Sequence, residues 1–368
     1  MKILISRKDL RDTTSGVPKK VLQELKFFSA KGYEVFAIAE TVNLQMIEEF
    51  GGKAIKTFRW PFSGYFSRKF YSNRVDAWIK KYKPQIVIGH GDILHQDILF
   101  IHNCVHLAHE LIERKPLPEN HEVGRIHTDI FQKGTFKLLI CNSQMMKDDL
   151  IKRFYVDPQK AVVIYPEVNL SKFRVEDKNI VRKDWRQKFG FVDDDFVIGL
   201  VTSGNFKKRN LGLLIDAFKE ISKENKKVKL FIAGGNIDKK YKEQAPTEGV
   251  VYAPPIIDVK NYYYILDVFV LPAHIEEFGR SVLESMFCGV PVITTSHVGA
   301  SEILVGKSRE FIMDQPKLEV LVELIKKLMD RQTYLEVSQL NLQTSLKYSS
   351  EIQNDIFSET LQKYGFKS

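Results

Sequence analysis

Cysteine is scarce. Cys104, Cys141 and Cys288 are scattered through 368 residues with no C-x-x-C pair. That argues against a disulfide framework or a thiolate zinc site, and for a reducing compartment. No apolar run approaches the roughly 18–20 residues that a bilayer-spanning helix needs, so no membrane span is expected. Met1-Lys2 runs straight into the strand-like Ile3-Leu4-Ile5, which does not read as a secretory leader. Acidic residues are outnumbered: 46 Asp and Glu stand against 55 Lys and Arg, a net charge of +9. Such a balance suits phosphorylated ligands, an anionic lipid surface or nucleic acid. No nucleic-acid module pattern is present, so nucleic acid is not an expected partner. Internal repeats and low-complexity segments are missing too.

What is present is the composition of a globular chain, 44% hydrophobic and 27% charged, with length enough for two domains. Strand-like and helix-like segments alternate almost throughout, the pattern of parallel sheets covered on both faces. Strands are expected at 2–6, 33–39, 86–89, 98–101, 138–142 and 161–165, with helices at 18–30 and from Ser143, an N-cap type. After a polar stretch over 168–188 the alternation restarts. Strands are expected at 196–202, 228–233, 250–252, 268–271 and 292–295, and helices at 209–222, 259–266 and 352–364. Two Rossmann-like halves with a cleft between them is the simplest architecture, an α/β fold.

The most informative stretch is HIEEFGRSVLESMFCGVP, His274–Pro291. It lies between two strand-like runs, with helical spacing at Val282 and Met286 and a stop at Gly289. A loop therefore delivers Glu276 and Gly279 to the carboxyl end of a strand, where a helix begins. The helix dipole and its first N–H groups make such a spot attractive to an anion, and ligands of open α/β sheets sit at those strand ends. An ordinary βαβ crossover with two surface glutamates is the alternative.

The spacing Glu276, seven residues, Glu284, with Phe278-Gly279 after the first Glu and Cys288-Gly289-Val290-Pro291 behind, resembles retaining glycosyltransferases of family four, with the GT-B fold. The resemblance implies an acceptor domain over 1–167, a nucleotide-sugar domain over 168–345 and a terminal helix, 346–368, returning to the first domain. It implies that Glu284 binds the ribose hydroxyls, that Glu276 sits by the transferred sugar, and that Phe278, Gly279, Arg280 and Ser281 offer the donor their backbone. Thr202–Asn210, TSGNFKKRN, follows a strand and opens a helix, and its cations suit a diphosphate. The family usually shows Gly-Arg there. Asn205 replaces that Arg, which leaves Lys208 and Arg209 for the diphosphate. Ser296–Glu302 resembles a downstream Gly-Gly-x-x-Glu turn, with Ala300 as the departure.

In the first half, Thr13–Pro18 offers Gly16 as a phosphate-side backbone position, although a plain βα turn explains it equally. Seven of nine histidines fall between His90 and His127. His102, His106 and His109 would share one helix face, as a metal site wants, but no Cys or carboxylate completes a zinc pattern, so no metal is expected. The family often has a His at the end of the strand at 98–101, beside the sugar. His102 fits that place, with His106 as runner-up. Lys56–Lys83 interleaves aromatic and basic residues, which suits an anionic leaflet or, equally, an amphipathic helix with core aromatics.

These readings imply a cytoplasmic enzyme, peripheral at the inner face of the membrane. It would carry a sugar from a UDP- or GDP-type donor to a glycan or glycolipid of lipopolysaccharide or polysaccharide, with no cofactor. A sugar-nucleotide epimerase of the same fold, or a catalytically silent binding member of an assembly complex, are the alternatives.

Overall fold

The computed structural model of the chain describes residues 1–11 and 16–366. The turn residues Thr13, Thr14 and Ser15 lie outside this range. The chain divides into two compact units, Met1–Ile164 with Asn354–Ser368, and Tyr165–Gln353. The return at residue 354 falls inside a helix, where no change of composition marks it.

The first unit holds a seven-stranded parallel sheet: β1 (Lys2–Ser6), β2 (Glu34–Ala39), β3 (Gly52–Lys56), β4 (Ile86–Gly89), β5 (Ile98–Phe100), β6 (Leu138–Cys141) and β7 (Ala161–Val163). Their spatial order is β3-β2-β1-β4-β5-β6-β7. The central strands are near-continuous apolar runs such as Ile3-Leu4-Ile5 and Leu138-Leu139-Ile140, fully buried because helices cover both faces. β3 went unrecognised in the sequence: GKAIK is an edge strand with lysine at two of its five positions, and only Gly52 in it is buried.

The second unit repeats the plan with six parallel strands: β8 (Phe196–Val201), β9 (Val228–Ala233), β10 (Val250–Ala253), β11 (Val268–Leu271), β12 (Val292–Thr295) and β13 (Ile312–Met313). Their order is β10-β9-β8-β11-β12-β13. β13 is an edge strand of two residues, too short to show as a pattern.

Helices that bear on function are α1 (Gly16–Ala30), α2 (Tyr65–Tyr82), α3 (Val105–Glu113), α4 (Leu211–Glu224), α5 (Lys260–Ile265), α6 (Arg280–Phe287) and α7 (Ser350–Lys363). The helix Gln144–Phe154 starts on Ser143, whose side chain accepts from Met146 N. From Asn354 onward, α7 belongs to the first unit. There Phe357, Leu361 and Phe366 enter its core, with the Phe357 ring 6.0 Å from Phe28 and 6.2 Å from Phe100.

In both sheets the chain lays strands outward on one side of the first strand, then crosses back to build the other side. The reversal falls between β1 and β4 in one sheet and between β8 and β11 in the other. Loops leaving such a pair run to opposite faces and open a crevice at the carboxyl ends, the usual ligand position in doubly wound sheets.

Candidate active site

In the second unit the reversal carries the expected residues. The loop after β8 holds Lys208 and Arg209, and the loop after β11 holds Glu276 and Glu277. His274 N donates to Lys208 O (3.0 Å), stitching the two loops together. Lys208 Nζ meets Glu277 Oε2 at 2.5 Å, and Arg209 Nη2 lies 3.2 Å from Glu276 Oε2. Arg209 also donates to Gly204 O. Asn205 explains its own presence: it sits at φ +52°, where Asn is tolerated, and its Oδ1 accepts from Lys208 N (3.2 Å). The turn itself fits closely. A Cβ at Gly234, where β9 ends, would fall 2.4 Å from Thr202 O, so only glycine allows that approach.

The electrostatics of this quartet are strained in one place. Burial pushes the Glu276 carboxyl up, against the pull of Arg209 and Lys208. Its Oε2 is buried and, for all its nearness to Arg209, takes part in no hydrogen bond among the described residues. The oxygen thus has a counter-charge but no aligned hydrogen bond, and a hydroxyl is the kind of group that would supply one. For Lys208, burial pulls the ammonium down, but Glu277 and then Glu276 more than offset it, and its value is raised.

The head of α6 is built for close approach. Gly279 precedes it at φ +88°, and a Cβ there would lie 3.0 Å from Val298 Cγ1. No acidic side chain occupies the first turn, so the dipole is left for an outside anion. The Ser296–Glu302 turn buttresses this loop: Glu276 N donates to His297 O (3.0 Å), Gly299 N to Glu276 O (2.9 Å) and Ala300 N to Phe278 O (2.7 Å). Side chains follow suit. Phe278 is buried with its ring 5.9 Å from Tyr165, and Arg280 Nη2 donates to Glu167 O (2.9 Å). The side chains of these two are thus taken up in packing and in a bond to the backbone. Ser281 is half-buried in the first turn of α6.

Glu284 lies further along α6, and Tyr263 of α5 donates its hydroxyl to Glu284 Oε2 at 2.7 Å. Burial, then Glu284 itself, pushes the phenol well up, so it stays a donor. One carboxylate oxygen is thus anchored by the phenol.

The first unit places its candidates around the β1/β4 reversal. His102, just after β5, is half-buried, and its Nε2 is 2.8 Å from His90 Nδ1. His90 Nε2 is in turn 2.9 Å from Glu24 Oε2 of α1. Beside them, buried Asp92 accepts from Arg7 (2.7 Å), Arg68 (3.1 Å) and Lys8 N (3.1 Å). Gly16 is the exposed first residue of α1, with open space for 4 Å around the point where a Cβ would stand. The shared helix face for three histidines does not form. α3 begins at Val105, so His102 precedes it while His106 and His109 ride on it. Among the described residues, no group of three His, Cys, Asp or Glu side chains is arranged to hold a metal ion.

Sequence reasoning missed Glu277, Tyr263, Glu24 and His90. Glu277 stood next to a stronger candidate. Tyr263 is one of three successive tyrosines, Tyr262–Tyr264, with nothing to single it out. Glu24 had one local signal, an acid on the buried face of an amphipathic helix.

Residues 14–172 match the family described as Glycosyltransferase Family 4, and residues 181–346 the family of glycosyl transferases group 1. The chain is 29% identical over 193 residues, half of each protein, to the capsular polysaccharide biosynthesis glycosyltransferase CapM of Staphylococcus aureus. It is 32% identical over 163 residues to alpha-monoglucosyldiacylglycerol synthase of Streptococcus pneumoniae, covering 42% of this chain and 36% of that one. The chain thus spans half or less of the length of these curated relatives. Among solved structures, WaaG, a glycosyltransferase involved in lipopolysaccharide biosynthesis, superimposes with a TM-score of 0.80 at 16% identity, over 97% of this chain and 99% of its own. Anabaena HepE in complex with UDP and glucose gives 0.77 at 16%, over 98% and 99%. Both regions are matched and both sheets share the strand order, and the chain belongs to the GT-B glycosyltransferases of family 4.

Proposed function

We propose that the protein is a retaining glycosyltransferase that moves a hexose from a UDP- or GDP-type donor to a hydroxyl of a glycan or glycolipid. The observation that carries this reading is the meeting of Lys208, Arg209 and Glu276 at the β8/β11 reversal, at the head of an α6 whose first turn holds no acid. In the transfer, the bond from the anomeric carbon to the diphosphate oxygen breaks and its electron pair leaves with the phosphate. Lys208 and Arg209 compensate the growing charge. The acceptor oxygen bonds to the same face of that carbon and its proton passes to the departing phosphate, so configuration is kept. Glu276 accepts from a sugar hydroxyl and Glu284 accepts from the ribose, while His102 is the candidate substrate contact of the first unit. Positioning and fixed charge carry the chemistry, and no cofactor enters it.

The named ligands of HepE, UDP and glucose, support a nucleotide-sugar donor. The names of CapM and WaaG support an acceptor in bacterial surface polysaccharide or lipopolysaccharide. A melting screen against UDP-, GDP- and ADP-sugars tests the donor. Stabilisation by one of them is expected, and none by any would sink the reading. In Glu284→Ala the donor Kd should rise about ten- to a hundredfold, as expected for loss of hydrogen bonds to a charged acceptor. An unchanged Kd would remove the ribose role.

A place on the cytoplasmic face of the membrane belongs to the same proposal. No helix among the described residues is long and apolar enough to cross a bilayer. However, Phe58, Phe62 and Phe66 are 61–73% exposed, and Lys56, Arg59 and Arg74 are exposed near them in sequence. Other members of the Lys56–Lys83 stretch are engaged: Tyr71 is fully buried, and Arg68 is held by Asp92 and Glu122. The protein should pellet with vesicles rich in phosphatidylglycerol and not with neutral ones, and Phe62→Ser with Phe66→Ser should stay in the supernatant. Equal pelleting of the double variant would rule out this surface.

A further inference from the structure

Glu24 is a carboxylate in the wrong place for stability. It lies on the buried face of α1 with Val21, Leu25 and Phe28, at 1% exposure, and its Oε1 takes part in no hydrogen bond among the described residues. A buried carboxylate with an idle oxygen is costly, and an apolar side chain would pack there more cheaply. Its one bonded oxygen goes to His90, which is itself 2% exposed, and His90 passes the contact on to His102. The two rings are coplanar within 8°, with centroids 5.1 Å apart. That is the geometry of imidazoles joined edge to edge through nitrogen, and the Phe100 ring lies parallel to both. Three side chains from α1, the end of β4 and the end of β5 thus form one line of hydrogen bonds that ends at His102.

We propose that Glu24 and His90 are positioning residues that hold His102 in the tautomer with its proton on Nε2, leaving Nδ1 as an acceptor for a substrate hydroxyl. A carboxylate at Glu24 only accepts, so His90 Nε2 donates to it. A neutral His90 then accepts at Nδ1, and the proton between the rings belongs to His102 Nε2. Burial, then the nearby His90, Arg7, Lys20 and His127, hold the His102 ring well below the ordinary imidazole range, so it stays neutral at working pH. A neutral imidazole presents one donor and one acceptor, and the partner of one nitrogen decides the role of the other. The inference rests on the glycosyl-transfer reading for the substrate, though the tautomer can be read without substrate.

The test is nitrogen-15 NMR on protein labelled at histidine, with His102 assigned from the signals lost in His102→Ala. The wild type should show protonated Nε2 and bare Nδ1 at His102. Glu24→Gln can donate its amide to His90 and reverse the line. His102 should then carry its proton on Nδ1, and kcat/KM should fall about tenfold, as for one reversed hydrogen bond. Glu24→Asp should keep the wild-type tautomer and recover activity. Bare Nε2 in the wild type would overturn the proposal, even if Glu24→Gln failed to fold. So would full activity in a Glu24→Gln protein whose tautomer had reversed. If instead no sugar nucleotide stabilises the protein while the wild-type tautomer is as stated, the transfer reading falls and the relay stands.

Discussion

Lys208→Ala is expected to slow glycosyl transfer by about 10²–10³-fold, the usual cost of removing one preorganised charge at a leaving group. The structure gives the reasons. Lys208 is 15% exposed, so the field of its ammonium is little diluted by water. Its value is raised rather than lowered by its surroundings, because Glu277 and Glu276 outweigh burial. The charge is therefore present across the neutral range and fades only above the ordinary lysine value. The loop is held from both sides, by Asn205 on Lys208 N and by His274 N on Lys208 O, so the backbone that carries the cation needs no reordering when the diphosphate departs. Lys208→Arg should rescue poorly, since a planar guanidinium does not fit a slot shaped for a point charge. The measurement is kcat under saturating donor, with melting temperature as the control. A loss below about tenfold would remove Lys208 from the leaving-group role.

Much of this was legible because the fold is written in runs. Parallel strands covered on both faces must be apolar end to end, and Lys2–Ser6, Val228–Ala233, Val268–Leu271 and Val292–Thr295 read with the bounds they have in the structure. The candidate site was legible for a related reason. Glu276, Gly279 and Glu284 lie on one loop and helix, so their spacing is preserved in the chain. What did not show are groups whose meaning lies in a distant partner. Glu24 and His90 are 66 positions apart, and Tyr263 and Glu284 are 21 apart. The three-histidine pattern misled because spacing of four and three means a shared face only where a helix exists, and α3 starts after His102. The Lys56–Lys83 stretch stayed open between the two readings because period alone does not say which aromatics face the core. Tyr71 went inward, with its hydroxyl bonded to Ser6 and Ile38.

Glu277 leads to the second large effect. It is 6% exposed and pairs with Lys208, so Glu277→Ala leaves a buried ammonium without its nearest counter-charge. Breaking a buried pair from one side costs about 3–5 kcal/mol, and the low end applies because Glu276 stays near. For a unit of this size about 3 kcal/mol should lower its melting temperature by about 6–12 °C. The sign with pH follows. The raised lysine means that the pair's stabilisation is complete below the ordinary lysine value and is lost as pH climbs through the raised one. The wild type and the variant should therefore converge only in strong alkali. A nucleoside diphosphate supplies the missing anion. It does not have to compete with Glu277 in the variant, so UDP should raise the variant's melting temperature by more than the wild type's. Equal shifts in the two proteins would mean that the diphosphate does not meet Lys208, and that the charge at this position holds the two loops together and nothing more.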